Sequence, residues 1–126
     1  MKKIIRTEKA PLPIGPYNQA VVVGNLVFTS GQIPIDIKTN TICSSDISEQ
    51  AHLVLTHLKS VLECAGSSLE RVIKTTVFLK DMNDFAAMNA VYSKFFDALN
   101  APARSTIQIA RLPKDALVEI EAVALV

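Results

Sequence analysis

Residues 117–126 alternate without a break: Val118, Ile120, Ala122, Ala124 and Val126 interleave with Leu117, Glu119, Glu121, Val123 and Leu125. Successive side chains of an extended chain point to opposite faces, so this stretch predicts a strand with one wholly apolar face. Such a face has to be covered. The other face carries two carboxylates between apolar residues, which is neither a plain core nor a plain solvated surface. Whatever fold the chain adopts must therefore supply a sheet around this strand and a layer over its apolar side.

The covering layer is legible upstream. Asp46 is placed to cap a helix with Glu49 three residues later, the capping-box spacing. Ile47, Ala51, Val54, Leu55, Leu58, Val61, Leu62 and Ala65 then recur at steps of three and four, one apolar stripe that ends at Gly66. A second helix is expected from Asn83-Asp84, with Phe85, Met88, Tyr92, Phe95 and Leu99 on one face and Pro102 as its limit. Strands are expected at Lys3 to Thr7, at Ala20 to Val23 and Leu26 to Ser30 around the turn pair Gly24-Asn25, at Val72 to Leu79, and at Arg104 to Ala110. The turn-like Leu112-Pro113-Lys114-Asp115 leads into the last strand, Leu117 to Leu125. Pro11, Pro13 and Pro16 mark an ordered loop, and a polar stretch from Lys38 to Ser45 leads into the first helix. The order is β-β-β-α-β-α-β-β. Crossovers of strand, helix and strand onto one sheet place both helices on one face of a mixed sheet, an α+β fold of two layers. At 126 residues the whole chain, 1–126, is expected to be one domain.

Charge excludes several functions. Thirteen Lys and Arg stand against twelve Asp and Glu, a formal net charge of +1, so no broad electrostatic grip on nucleic acid or an anionic membrane is expected. The basic start, Met1 to Arg6, lacks the apolar core of a signal peptide, and no segment approaches the ~20 apolar residues of a membrane span. Cys43 and Cys64 suit neither a disulfide framework nor a Cys-x-x-Cys site and read as small buried hydrophobes. A reduced, cytoplasmic location is expected. The mean hydropathy of +0.29 leaves apolar surface to be accounted for.

The same period-two reading places Ala103, Ser105, Ile107 and Ile109 on one side of their strand and Arg104, Thr106 and Gln108 on the other. If the apolar sides align, Arg104, Thr106 and Gln108 share the uncovered sheet face with Glu119 and Glu121. Two readings are open: an incidental ion pair on a half-wet sheet, or a site built where a second copy of the chain covers this face.

The inventory of reactive groups is short. His52 and His57 diverge by about 140° around a helix and are read as polar-side residues, not as metal ligands or triad members. The glycines are too dispersed for a phosphate loop. What remains is Arg104, able to hold a carboxylate, and Glu119, able to take a proton from water, a pair that suits hydrolysis of a small anionic substrate.

At Pro102-Ala103-Arg104-Ser105, followed by Val118-Glu119-Ile120-Glu121, the chain resembles the RidA/YjgF family of imine deaminases. Ile14-Gly15-Pro16-Tyr17, Ser30-Gly31-Gln32-Ile33-Pro34, Val77-Phe78-Leu79-Lys80-Asp81, Asn83-Asp84-Phe85-Ala86 and Ala110 to Asp115 match the family in order and spacing. The resemblance implies a chorismate-mutase-like fold and a homotrimer whose sheets form a central barrel, with three clefts between subunits. It implies hydrolysis of 2-iminobutanoate, 2-iminopropanoate and their enamines to 2-oxo acids and ammonia, with no cofactor and no metal. By position, Arg104 would hold the substrate carboxylate, assisted by backbone N–H groups near Gly31 and Thr106. Glu119 would activate water, and Tyr17, Ser30 and Asn89 would line the cleft. A trimer that binds metabolites without turnover, and the ribonuclease or translation-inhibitor activity attributed to some relatives, are the alternatives. Two departures stand out: Thr106 replaces a cysteine common in the family, and Leu99-Asn100-Ala101 is shorter than usual, which would reshape the cleft rim.

Overall fold

A computed structural model describes all residues, 1–126. The strands are β1 (Lys3–Ile5), β2 (Ala20–Val23), β3 (Leu26–Thr29), β4 (Ile35–Asp36), β5 (Thr41–Ile42), β6 (Val72–Leu79), β7 (Ala103–Gln108) and β8 (Val118–Leu125). The helices are α1 (Ile47–Cys64) and α2 (Phe85–Phe95). Six strands form one mixed sheet in the order β1-β2-β3-β8-β6-β7, with β6 and β7 parallel and every other neighbouring pair antiparallel. The alternating strand thus lies inside the sheet, between β3 and β6.

Local chemistry sets the element ends. The Asp46 carboxylate accepts from the Glu49 backbone N–H at 2.9 Å, closing the first turn of α1. Gly66, at φ +84°, takes the left-handed position that ends the helix, while Ser67 N–H returns to Leu62 O at 2.9 Å. Gly24, at φ +59°, makes the tight turn between β2 and β3, where Val23 pairs with Leu26.

The core lies between the sheet and the helices. Ala51, Val54, Leu55, Leu58, Val61 and Leu62 of α1 are fully buried against Val27, Val77, Val118, Ile120 and Ala124. Each large aliphatic side chain among them contributes on the order of 1.5–3 kcal/mol relative to exposure. Met88 and Tyr92 of α2 complete the layer.

Several expectations are corrected. Residues 35–42, running into the polar stretch before α1, form a small separate sheet of β4 and β5, with Asn40 at φ +59° in the turn between them. Cys43 and Cys64 are exposed, not buried: one follows β5 and the other ends α1, both outside the core. His57 is not a polar-side residue. It is 3% exposed, and its Nε2 meets Ile35 O at 2.7 Å, a bond that replaces water and ties α1 to β4. Leu99 is 97% exposed because α2 stops at Phe95, and Phe96 turns extended and enters the core instead.

The alignment of β7 is also corrected. Arg104 stands opposite Thr75, and Thr106 opposite Val77. Thr75 and Val77 stand in turn opposite the buried Ala122 and Ile120 of β8. Residues directly opposite share a face, so Arg104, Thr106 and Gln108 lie on the helix side of the sheet. Glu119 and Glu121 pair with Phe78 and Thr76 on the uncovered side. The sequence pattern misled because β7 is an edge strand next to β6, and its exposed Ala103 and Ile107 do not belong to the core face. The uncovered face is apolar toward β1–β3, through Ile4, Val23, Phe28 and Leu125, and polar toward its middle.

Candidate functional site

The residues singled out in the sequence fall into two separate groups. Glu119 lies in the first, in a cleft of about 290 Å³ with Tyr17, Ser30, Gly31, Gln32 and Lys114 on its walls. Gln32 binds Ile120 through both backbone groups, N–H to O at 2.8 Å and O from N–H at 3.2 Å, which lays residues 31–32 along β8. A Cβ on Gly31 would lie 2.7 Å from Glu119 Cδ and collide with the carboxylate. Gly31 is therefore needed for close approach, since its φ lies outside the left-handed range.

The Tyr17 loop is built by a buried amide. Gln19 accepts from Thr7 N–H at 2.7 Å and donates to the carbonyls of Thr7, Ala10 and Pro11 at 2.9, 3.2 and 2.9 Å. These bonds compensate a proline-rich segment that has few backbone donors of its own. Ser30 is fixed at the strand end, its hydroxyl donating to Asn18 O and its N–H to Gln19 O. Tyr17 remains 50% exposed, with its ring beside Gly15.

Burial raises the Glu119 carboxyl above the usual carboxylate range, and the neighbouring Glu121 charge adds to the rise. A carboxylate with increased proton affinity in a cleft can take a proton from water and return it.

Arg104 belongs to the second group. Its Nη1 donates to Asn89 Oδ1 at 2.8 Å, and its guanidinium carbon lies 4.6 Å from the Tyr92 ring centroid and 5.5 Å from that of Phe85. No carboxylate pairs with it; the one salt bridge of the chain joins Arg111 to Asp115 at the surface. Asn89, Tyr92, Phe96 and Pro102 line an open pocket of about 390 Å³ beside the guanidinium. Thr106 Oγ1 is buried and has no hydrogen-bond partner. A half-buried cation without an anion, with its Nε and Nη2 edge uncommitted, is a receptor for a carboxylate.

Phe85, Tyr92, Gln19 and Gln32 were not among the sequence candidates. The aromatic pair had a signal: both lie on the predicted apolar face of the second helix. Gln32 stood in a matched motif without a role of its own, and Gln19 had no signal, because a buried amide acts through loop carbonyls whose positions only the fold defines. His52 and His57 line neither group; His52 packs edge-on to Phe95 with ring centroids 5.3 Å apart.

The family model described as endoribonuclease L-PSP matches residues 7–126. A RutC family protein of Pyrococcus horikoshii is 56% identical over 124 residues, covering 98% of each chain. A Salmonella typhimurium protein named 2-iminobutanoate/2-iminopropanoate deaminase is 52% identical over 126 residues, again covering 98% of each. The crystal structure of Escherichia coli TdcF with bound serine superposes with a TM-score of 0.92 at 51% identity, covering 98% of both chains.

Proposed function

The chain belongs to the endoribonuclease L-PSP family, the RidA/YjgF proteins, and we propose that it is a 2-imino acid deaminase whose sites form between copies of itself. The observation that carries this reading is the placement of an anion-seeking Arg104 and a proton-accepting Glu119 on opposite faces of one sheet. One chain cannot direct both at one small molecule. A homotrimer with a chorismate-mutase-like central barrel would cover the apolar part of the open face and bring Arg104 of one subunit to Glu119 of the next. Residues 1–126 would act as one unit in the cytoplasm.

In the proposed reaction Arg104 receives the carboxylate of 2-iminobutanoate or 2-iminopropanoate on its free edge, with the backbone N–H groups of Gly31 and Thr106 assisting. Tyr17, Ser30 and Asn89 bound the cleft. Glu119 takes a proton from water as the water oxygen bonds to the imine carbon. The proton passes to nitrogen to give a carbinolamine. Glu119 then takes the proton of the new hydroxyl and returns it to the amine as the carbon–oxygen double bond forms and the carbon–nitrogen bond breaks, and a 2-oxo acid and ammonia leave. An imine carbon is already electrophilic, so orientation and one base suffice.

Coupling the protein to a threonine dehydratase, with semicarbazide trapping the imine that escapes, tests the reading. Accelerated loss of imine that disappears in Arg104→Ala is the expected result. Activity of Arg104→Ala equal to the parent protein overturns the clamp. A second reading, a trimer that binds metabolites without turnover, is favoured by the bound serine of the E. coli relative and predicts carboxylate binding without imine loss. The ribonuclease reading finds less support, since the net charge is +1 and neither histidine lines either group.

A further inference from the structure

The Arg104 guanidinium does not float at the end of a long side chain. Below it lies Tyr92, an α2 residue only 6% exposed, whose hydroxyl shares a hydrogen bond of 2.7 Å with the fully buried Thr75 of β6. Phe85 flanks it at 5.5 Å and Asn89 takes Nη1 at 2.8 Å, so α2 provides three contacts, spaced at four and three residues, to one cation. Thr75 stands directly opposite Arg104 across the β6–β7 pair, so the Thr75 hydroxyl ties the ring to the same sheet position that carries the cation.

We propose that Tyr92, fixed by Thr75, is a positioning residue for carboxylate capture: its ring is the floor over which the guanidinium is held. This rests on the reading of Arg104 as a carboxylate clamp. A guanidinium held over an aromatic face has that face covered by carbon and keeps its uncommitted N–H donors for a ligand. Asn89 occupies one terminal nitrogen, which leaves the Nε and Nη2 edge as the fork for two carboxylate oxygens. The floor also attracts positive charge without neutralising it, unlike an aspartate or glutamate in the same place. The clamp is thereby preorganised and remains hungry for an anion.

The mark of such a role is loss of substrate affinity with the chemical step intact, because the ring acts through the guanidinium and its hydroxyl is engaged with Thr75, so it takes no part in activating water. Tyr92→Leu, Tyr92→Phe, Thr75→Val and the double variant Tyr92→Phe/Thr75→Val are compared by calorimetric titration with 2-oxobutanoate and by imine turnover. Tyr92→Leu is expected to weaken 2-oxobutanoate binding and raise KM by about ten-fold, with kcat held within about two-fold, as fits loss of a partly desolvated cation–π contact. Tyr92→Phe and Thr75→Val should each weaken binding by about three-fold, and the double variant no further, since both remove one hydrogen bond. Binding by a folded Tyr92→Leu at parent strength, or a fall in kcat with KM unchanged, overturns the proposal. If Tyr92→Leu does not fold, the two-residue cycle decides: unchanged affinity in both single variants overturns it, and non-additive losses support it. A parent protein that binds 2-oxobutanoate but leaves imine untouched refutes the deaminase reading alone, and the floor is then judged on affinity. Undiminished binding by Arg104→Ala refutes the clamp, and the floor with it.

Discussion

Arg104 and Glu119 face away from each other: Arg104 stands opposite Thr75 on the helix side of the sheet, and Glu119 stands opposite Phe78 on the uncovered side. The strand between them, β6, belongs to both faces. This geometry separates the two charges that one catalytic site would require, and for that reason the proposed function takes the missing half from a neighbouring copy.

Mixed assembly tests that division of labour. Arg104→Ala and Glu119→Gln chains, each inactive alone, are expected to regain activity when refolded together. With random mixing at equal amounts in a ring, about one cleft in four receives an intact Arg104 from one chain and an intact Glu119 from another. Imine turnover of the mixture near that fraction of the parent rate is the expected outcome; a mixture as inactive as its components contradicts a shared site.

Gly31→Ala probes the close approach to Glu119. The new methyl has no backbone strain to overcome, but it meets the carboxylate and its Cγ and Cδ atoms. The side chain must swing aside, and a displacement of about 1 Å costs on the order of 10²-fold in rate. Circular dichroism and melting should show a folded protein with kcat reduced by at least ten-fold. Parent-like kcat would mean that the carboxylate position is not critical.

The raised proton affinity of Glu119 has two consequences with opposite signs. Water activation needs the ionised form, so turnover should fall on the acid side at a pH above the ordinary carboxylate range. Glu121→Gln removes the charge that contributes to the rise and should move this limb to lower pH. Stability runs the other way: a carboxyl whose folded pKa is raised contributes fully below its unfolded pKa, and that contribution is lost as pH rises through the folded value. Glu119→Gln should therefore melt higher than the parent at neutral pH, with the gap closing in acid. A pH-independent difference would exclude ionisation as its cause.

Gln19→Ala removes the four bonds that hold residues 7–11 against the start of β2. The freed carbonyls and N–H are partly buried, so the loss should reach about 1–3 kcal/mol in denaturant unfolding. Tyr17 lies two residues away, and KM should rise with it. Unchanged unfolding would show that water replaces the amide without cost.

The helices and most strand positions were legible because their signals are local. The Asp46 cap, the α1 stripe, the Gly24 turn and the alternation of β8 each depend on residues within a few positions of one another. The face of β7 was not legible. Which side of an edge strand meets the core depends on its register with β6, and register is a property of two distant segments. The same limit hid the burial of His57, whose partner is a carbonyl of β4. At the candidate site, Arg104 and Glu119 could be singled out by residue chemistry and family likeness, but their separation could not, because it follows from that register.

The uncovered side of the sheet gives this separation a further meaning. On the proposed reading, a newly made chain can complete its helix layer, seat Glu119 beside Gly31 and lay Arg104 over Tyr92, yet still own no whole site. Folding and competence are then two events, the second bimolecular at the least. Dilution alone would silence such a protein while leaving every strand in place, so its working output should climb more steeply than in proportion to its abundance wherever copies are scarce.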